Sequence, residues 1–184
     1  MYQEIIVDIE TLGTGKDTVV LSIGMVNFNL NDEDNYDTLE EDGRVFYAVL
    51  DAQDQIDNYR RTVTFDTMKF WIEQDRNAQR MVFNAKQFPV VDVLEAINRW
   101  VGKSEPNLWG NGATFDNVIL RSLFEDYGVP FFTPFWNDMD LRTLKYLSGN
   151  SKPKIPRGIA HNALEDAKYE VLCAQHYARL LRGK

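Results

Sequence analysis

The stretch IIVDIETLG, residues 5–13, is a run of strand-forming residues that ends in two carboxylates and breaks at a glycine. Because side chains alternate along a strand, Asp8 and Glu10 point to one face, and Val7 and Ile9 point to the other. Two like charges at the end of a buried strand are costly unless a cation lies between them. Oxygen-only ligands suit a hard ion such as Mg²⁺ or Mn²⁺ better than zinc. An Asp-x-Glu pair alone is more often a solvated strand end, so other parts of the chain must decide.

Composition restricts the class of protein. A chain of 184 residues with ordinary apolar and charged fractions predicts one globular domain over residues 1–184. No apolar run approaches the length of a membrane span, and the immediate acidic strand leaves no room for a signal peptide. The single cysteine, Cys173, lies in an apolar helical pattern, so we expect it to be buried in a reducing, cytoplasmic setting. The net charge of −8 argues against broad duplex binding but leaves nucleic acid open as a substrate.

Strands precede helices along the chain. The patterns predict strands over 3–10, 19–28, 44–50, 107–110 and 135–136, and helices over 67–83 with a break near 75–77, 90–101, 114–127, 141–147 and 162–181. Residues 31–43 and 149–158 are predicted as loops. Short links between the first three strands indicate an antiparallel meander. The later alternation of strands and helices indicates an α/β domain with a mixed sheet.

A second acidic motif is WGNGATFD, residues 109–116. Its glycines flank a strand-to-helix turn and let the backbone pass close to a ligand. We predict Thr114 as the N-cap of the helix, with Asp116 in the first turn. An acid there is also favoured simply by the helix dipole.

The third motif is HNALED, residues 161–166. In a continuous helix, His161 and Asp166 would lie about 140° apart and could not converge on one point. A helix that starts with Asn162 as N-cap and Glu165 as the acid of a capping-box-like arrangement removes this conflict. We therefore predict His161 on a mobile loop, free to swing towards Asp166 on a rigid first turn.

The ordered set Asp8-x-Glu10, Asp116, then His161 with Asp166 five residues later, resembles the DEDDh family of 3′–5′ exonucleases across nearly the whole chain. The resemblance implies a ribonuclease H-like fold with a five-stranded sheet, three antiparallel strands followed by parallel ones, flanked by helices. It also implies two Mg²⁺ or Mn²⁺ ions held by the four acids, with His161 accepting a proton from water. The fuller motifs are similar to those of phage exonuclease A and small bacterial exoribonucleases.

The resemblance also implies where the terminal nucleotide binds. Thr11 and Leu12 would seat it through their backbone, together with Glu10, and Asn111 of the glycine-flanked turn is a further candidate contact.

Aromatic residues are candidates for stacking on a base. Trp71 could stack on the terminal base while Gln74, three residues later on the same helical face, hydrogen-bonds nearby. The alternative is that Trp71 belongs to the core. Phe115 is a second stacking candidate, for which a core role is the stronger alternative.

Basic residues near His161 have two interpretations. Lys152, Lys154 and Arg157 could grip the phosphates of a strand, although a short basic run is usually a solvated face. Asp140 is predicted to cap the helix over 141–147, and Arg142 to pair with a nearby acid.

We therefore expect a 3′–5′ exonuclease that releases nucleoside 5′-monophosphates from single-stranded ends, with DNA favoured over RNA. The alternatives are an exoribonuclease, a catalytically silent nucleic-acid-binding module, and a structural protein whose acids are surface charge. The resemblance further suggests a bacterial or phage-type protein with a homodimer as a candidate assembly.

Overall fold

A computed structural model describes residues 4–41, 43–155 and 158–183. Within these ranges five strands form one sheet: β1 (Glu4–Thr11), β2 (Val20–Phe28), β3 (Val45–Val49), β4 (Asn107–Gly110) and β5 (Asp138–Asp140). The strand order is β3-β2-β1-β4-β5, with β1, β2 and β3 antiparallel and β4 and β5 parallel to β1. The predicted meander and mixed five-stranded sheet are confirmed.

Helices cover the sheet on both faces. In the described part of the chain they are α1 (Tyr36–Leu39), α2 (Ala52–Tyr59), α3 (Phe65–Glu73), α4 (Arg76–Phe83), α5 (Val90–Val101), α6 (Asp116–Asp126), α7 (Leu141–Leu147) and α8 (Ala163–Arg182). No helix among the described residues is both long and apolar enough to cross a bilayer.

Three sequence predictions about these elements were wrong. The loop predicted over 31–43 contains α1, a single turn that Asn35 starts with a capping box. Helix α2 was not predicted because its buried position is polar: Gln55 bonds to both the N–H and the C=O of Val20. The strand predicted at 135–136 is a 3₁₀ helix, Phe135–Asn137, and β5 follows it.

Alternate residues of β1 face opposite layers of the fold. One set packs with α5 and α6: Ile5, Val7 and Ile9. The other face begins with Ile6, which packs with α8, where Cys173 is buried as predicted. Asp8 and Glu10 share that face with Ile6, so strand alternation places both acids beneath α8.

Gly24 lets the start of α8 approach the sheet. This residue of β2 lies opposite Asp8 in the strand register. A Cβ atom on Gly24 would lie only 2.2 Å from the carbonyl carbon of Ala163, the first residue of α8. Any larger side chain would push the first turn of α8, and with it Asp166, away from Asp8.

Candidate active site

The acids of the three motifs gather at the carboxyl ends of β1 and β4. Asp8 and Glu10 lie near the end of β1, Asp116 opens α6 after β4, and Asp166 lies in the first turn of α8. Ligands of open α/β sheets bind at this edge.

Glu10, His161 and Asp166 form the tightest part of the site. Each offers a potential ligand atom, and these atoms all lie within 4.8 Å of one another. Glu10 is 8% exposed and Asp166 is 4% exposed. The two buried carboxylates can hold a divalent cation, with the imidazole of His161 beside it.

Asp8 lies beside this group, where its ionised form is disfavoured. Burial raises the pKa of Asp8 well above its usual value, and the negative charges of Glu170, Asp116, Glu10 and Asp166 raise it further. A cation placed among these carboxylates would remove the repulsion, so the electrostatics fit a metal site.

Asp116 is 4% exposed, and burial raises its pKa to about 7. Opposing this, its carboxylate accepts hydrogen bonds from the N–H of Ile9, from its own N–H and from that of Asn111. The pairing of β1 with β4 ends at Val7 and Gly110. Because β4 does not extend further, the N–H of Ile9 donates its hydrogen bond to the carboxylate of Asp116 instead.

Asn162 fixes the start of α8, as the sequence predicted. Its Oδ1 accepts hydrogen bonds from the N–H groups of Leu164 at 3.1 Å and Glu165 at 3.0 Å. The carboxylate of Glu165 is bound by Lys168 Nζ at 3.0 Å. Asn162 therefore caps the helix, while Glu165 forms an ion pair within α8.

His161 is held more firmly than the sequence suggested. Its backbone is left-handed, with φ 61°, and its N–H donates to Asp166 Oδ2 at 2.9 Å. The imidazole packs edge-on against Phe70, with ring centroids 5.0 Å apart, and lies 6.4 Å from the ring of Trp71. The imidazole already lies beside the acids, so no inward swing is needed to bring it there.

The backbone N–H and C=O of Leu12, predicted to contact a nucleotide, are both hydrogen-bonded within the protein. Its N–H donates to the C=O of Val19 at 2.9 Å, and its C=O accepts from the N–H of Thr64 at 2.8 Å. The C=O of Thr11 accepts from the indole N–H of Trp71 at 2.8 Å. For Leu12, the side chain is therefore the better candidate for a nucleotide contact.

The structure places Trp71 in the core, where it is 3% exposed. Stacking on a base stays a prediction that this burial disfavours. Because α3 ends at Glu73, Gln74 is the C-cap of the helix, and its side-chain amide bonds to the C=O of Phe70 at 3.0 Å. The contact of Gln74 with a nucleotide stays a prediction, because its amide is engaged with the backbone of α3. Phe70, 39% exposed beside His161, is the aromatic residue that sequence reasoning missed.

The turn before α6 differs by one residue from its prediction. Phe115, not Thr114, is the N-cap, because its C=O accepts the first hydrogen bond of α6, from the N–H of Ile119 at 2.9 Å. Gly112 has φ 110°, a conformation that favours glycine. Phe115 is half-buried against the core, and Asn111 is exposed.

Glu170 is a fifth acid that the motifs did not single out. It is 5% exposed. Among the neighbouring charges, that of Glu170 raises the pKa of Asp8 the most. It follows Asp166 by four residues, a spacing that places both on one face of α8. Glu170 also lines a cavity of about 210 Å³ with Asn111, Lys145 and Lys152.

The remaining charged residues have separate roles. Asp140 caps α7 as predicted, accepting from the N–H of Thr143 at 2.7 Å. Asp138 pairs with Arg121 at 2.7 Å and not with Arg142. Arg157, a predicted phosphate contact, lies outside the described residues.

Similar structures and sequences agree with this geometry. The nuclease domain of 3′hExo, a DEDDh family member bound to rAMP, matches with a TM-score of 0.59 and 17% identity over 99% of this chain and 93% of that one. Exonuclease I of E. coli in complex with a dT13 oligonucleotide has a TM-score of 0.61 and 13% identity, covering 96% of this chain and 41% of that one. The exodeoxyribonuclease of Enterobacteria phage T4 is 23% identical over 210 residues, 98% of this chain and 91% of the phage protein.

The fold and the gathered acids define a ribonuclease H-like nuclease of the DEDDh type. The chain belongs to the family described as the 3′-5′ exoribonuclease Rv2179c-like domain, which matches residues 3–178. It is a 3′–5′ exonuclease, and its acid cluster is a candidate site for divalent metal.

Proposed function

We propose that the protein removes nucleoside 5′-monophosphates from the 3′ ends of single strands, with DNA as its first substrate. The convergence of Asp8, Glu10, Asp116 and Asp166 with His161 at one sheet edge carries the proposal. Phosphodiester hydrolysis needs clustered carboxylates for metal ions and a proton acceptor beside them.

The donors suit Mg²⁺ or Mn²⁺. Asp8, Glu10, Asp116 and Asp166 offer only carboxylate oxygens, the ligands these hard ions prefer. Pop2p of S. pombe, of similar fold with a TM-score of 0.52, 9% identity and coverage of 96% of this chain and 82% of that one, has an Mg²⁺- and Mn²⁺-bound form. Two such ions, when bound, would polarise the scissile phosphate and lower the pKa of an attacking water.

His161 is placed to take the proton of that water. The unprotonated ring nitrogen of a neutral imidazole can accept a proton from water. The hydrogen bond from its backbone to Asp166 fixes the residue, and the edge-on contact with Phe70 fixes the ring. The base is thereby positioned by the same carboxylate that would hold a metal ion.

An apolar cavity of about 470 Å³ beside the site provides a place for the terminal base. It is lined by Leu12, Ile56, Val63, Met68, Trp71, Ile72, Gln79 and Phe83. Apolar and aromatic walls accept any base face without reading sequence. A base unpaired from a partner strand fits such a cavity, which favours single-stranded ends.

RNA is the second candidate substrate. The matching family carries the name of an exoribonuclease, whereas the phage relative is an exodeoxyribonuclease. A contact to the 2′-hydroxyl would distinguish the two sugars. The predicted homodimer and cytoplasmic location likewise stay predictions.

The test uses DNA and RNA strands of one sequence, labelled at the 5′ end, with Mg²⁺ or Mn²⁺. A ladder that shortens from the 3′ end and disappears in chelator supports the function, and the faster strand identifies the preferred sugar. A folded protein that binds the strands but shortens neither with either metal would be a silent binding module, which overturns the proposal.

A further inference from the structure

Arg142 is a cation placed against the turn that presents Asp116. It is an exposed residue of α7. A Cβ atom on Gly112 would lie 3.1 Å from Arg142 Cζ and 3.2 Å and 3.3 Å from its two terminal nitrogens. The guanidinium therefore lies over the backbone of Gly112, at the edge of the acid cluster.

The guanidinium of Arg142 takes part in none of the hydrogen bonds or ion pairs found among residues 4–41, 43–155 and 158–183. Other arginines near the sheet are held: Arg44 by Asp34, Arg61 by Asp126 and Arg121 by Asp138. Arg142 thus has its donors available to a ligand.

Two lysines extend this positive charge along one side of the acid cluster. Lys145 follows Arg142 by three residues and so shares its side of α7. Lys145 and Lys152 line the 210 Å³ cavity that reaches Asn111 and Glu170. In a chain of net charge −8, these cations form a local path that starts beside Asp116.

We propose that Arg142, with Lys145 behind it, binds the phosphates upstream of the scissile bond, so that the single strand approaches along α7. This inference rests on the proposed function. A guanidinium binds phosphate through paired hydrogen bonds, and acids alone would repel the strand. The cations hold the part of the strand that stays on the enzyme after each cleavage.

Another role for Arg142 would be to balance the charge of Asp116 alone. The positive charge of Arg142 opposes the effect of burial on the pKa of Asp116. In that role Arg142 would affect strands of every length equally, because the metal site is common to them all. A strand contact instead affects only substrates that have upstream phosphates.

The experiment compares Arg142→Gln with Lys103→Gln. Lys103 is exposed and precedes the amino end of β4, at the opposite edge of the sheet from the acids. We expect Arg142→Gln to raise KM about tenfold for a strand of about twelve nucleotides, with kcat retained and a dinucleotide changed less than about twofold. The slope of log affinity against log salt should fall by about 0.7. Lys103→Gln should change neither.

Equal losses on both substrates, or a change only in the metal concentration required, would overturn the phosphate path. If the wild-type protein hydrolyses no strand, the proposed function fails separately. Binding of the longer strand in chelator then decides the inference: a reduced salt slope in Arg142→Gln supports it, and an unchanged slope overturns it.

Discussion

Helix α8 covers carboxylates at both ends of β1. Asp8 and its neighbours lie where β1 ends, and Asp166 comes from the first turn of α8. Asp34 follows β2, whose end pairs with the beginning of β1, and it contacts Gln175 further along α8. The same helix therefore covers an Asp34 cluster, in which the pKa of the acid is lowered, and an Asp8 cluster, in which it is raised.

The Asp34 cluster is balanced. Arg44 donates to the two carboxylate oxygens of Asp34 at 2.9 Å and 2.8 Å, and Gln175 donates at 2.8 Å. Burial pushes the pKa of Asp34 up, but the hydrogen bonds and the charge of Arg44 outweigh it and lower the pKa. The ionised form of Asp34 is therefore stabilised by Arg44 and Gln175, without a bound cation.

The Asp8 cluster is unbalanced, because burial and four neighbouring carboxylates raise the pKa of Asp8. Protons or bound cations can relieve this repulsion, so the cluster is suited to bind metal at the expense of its metal-free stability at neutral pH. The comparison indicates which acids serve the fold and which serve catalysis, and each prediction below tests that division.

Replacing Asp8 should have the largest effect. Asp8→Asn removes a proposed metal ligand, and we expect activity to fall on the order of 10⁴-fold, a loss of several kcal/mol. Metal-free stability should rise, because a repelled charge is gone. Strand degradation and urea unfolding in chelator measure the two effects. Retained activity, or lowered stability, would contradict the division.

Replacing His161 tests the proton acceptor. We expect His161→Asn to lower kcat about 10³-fold, since the amide cannot accept the proton of water. Asparagine tolerates a left-handed backbone better than alanine, so the φ of 61° is kept. Unchanged metal-induced stabilisation would show an intact cluster. A kcat close to that of the wild type would exclude His161 as the base.

Replacing Asp34 should show the reverse pattern. Asp34→Asn leaves the largely buried guanidinium of Arg44 without its anion, and we expect the free energy of unfolding to fall by about 3 kcal/mol. The value of kcat/KM should stay near that of the wild type. Urea unfolding and single-strand degradation check both expectations, and a kcat/KM well below that of the wild type, or an unchanged free energy of unfolding, would refute them.

Local chemistry explains what could be predicted from sequence. Strand alternation placed Asp8 and Glu10 on one face, and the cap at Asn162 separated His161 from the helix of Asp166. Glu170 was missed because its position depends on the packing of α8 against β1, a long-range contact. The burial of Trp71 could not be predicted for a related reason, since it depends on packing against residues distant in sequence.

The free energy of unfolding should depend on pH in opposite directions for the two clusters. The pKa of Asp116 is about 7 in the folded chain, so the folded state retains a proton that the unfolded state has lost above about pH 4. Metal-free stability should therefore fall by about 2 kcal/mol from about pH 5 to pH 7. Asp34, with its lowered pKa, loses its contribution only at more acidic pH. Urea unfolding in chelator should show this fall in the wild type and in Asp92→Asn, an exposed control, and a smaller fall in Asp116→Asn, where the raised pKa of Asp8 still contributes. A wild-type curve that is flat or rises over this range would mean that the acids of the site are balanced without metal, and the contrast with Asp34 would disappear.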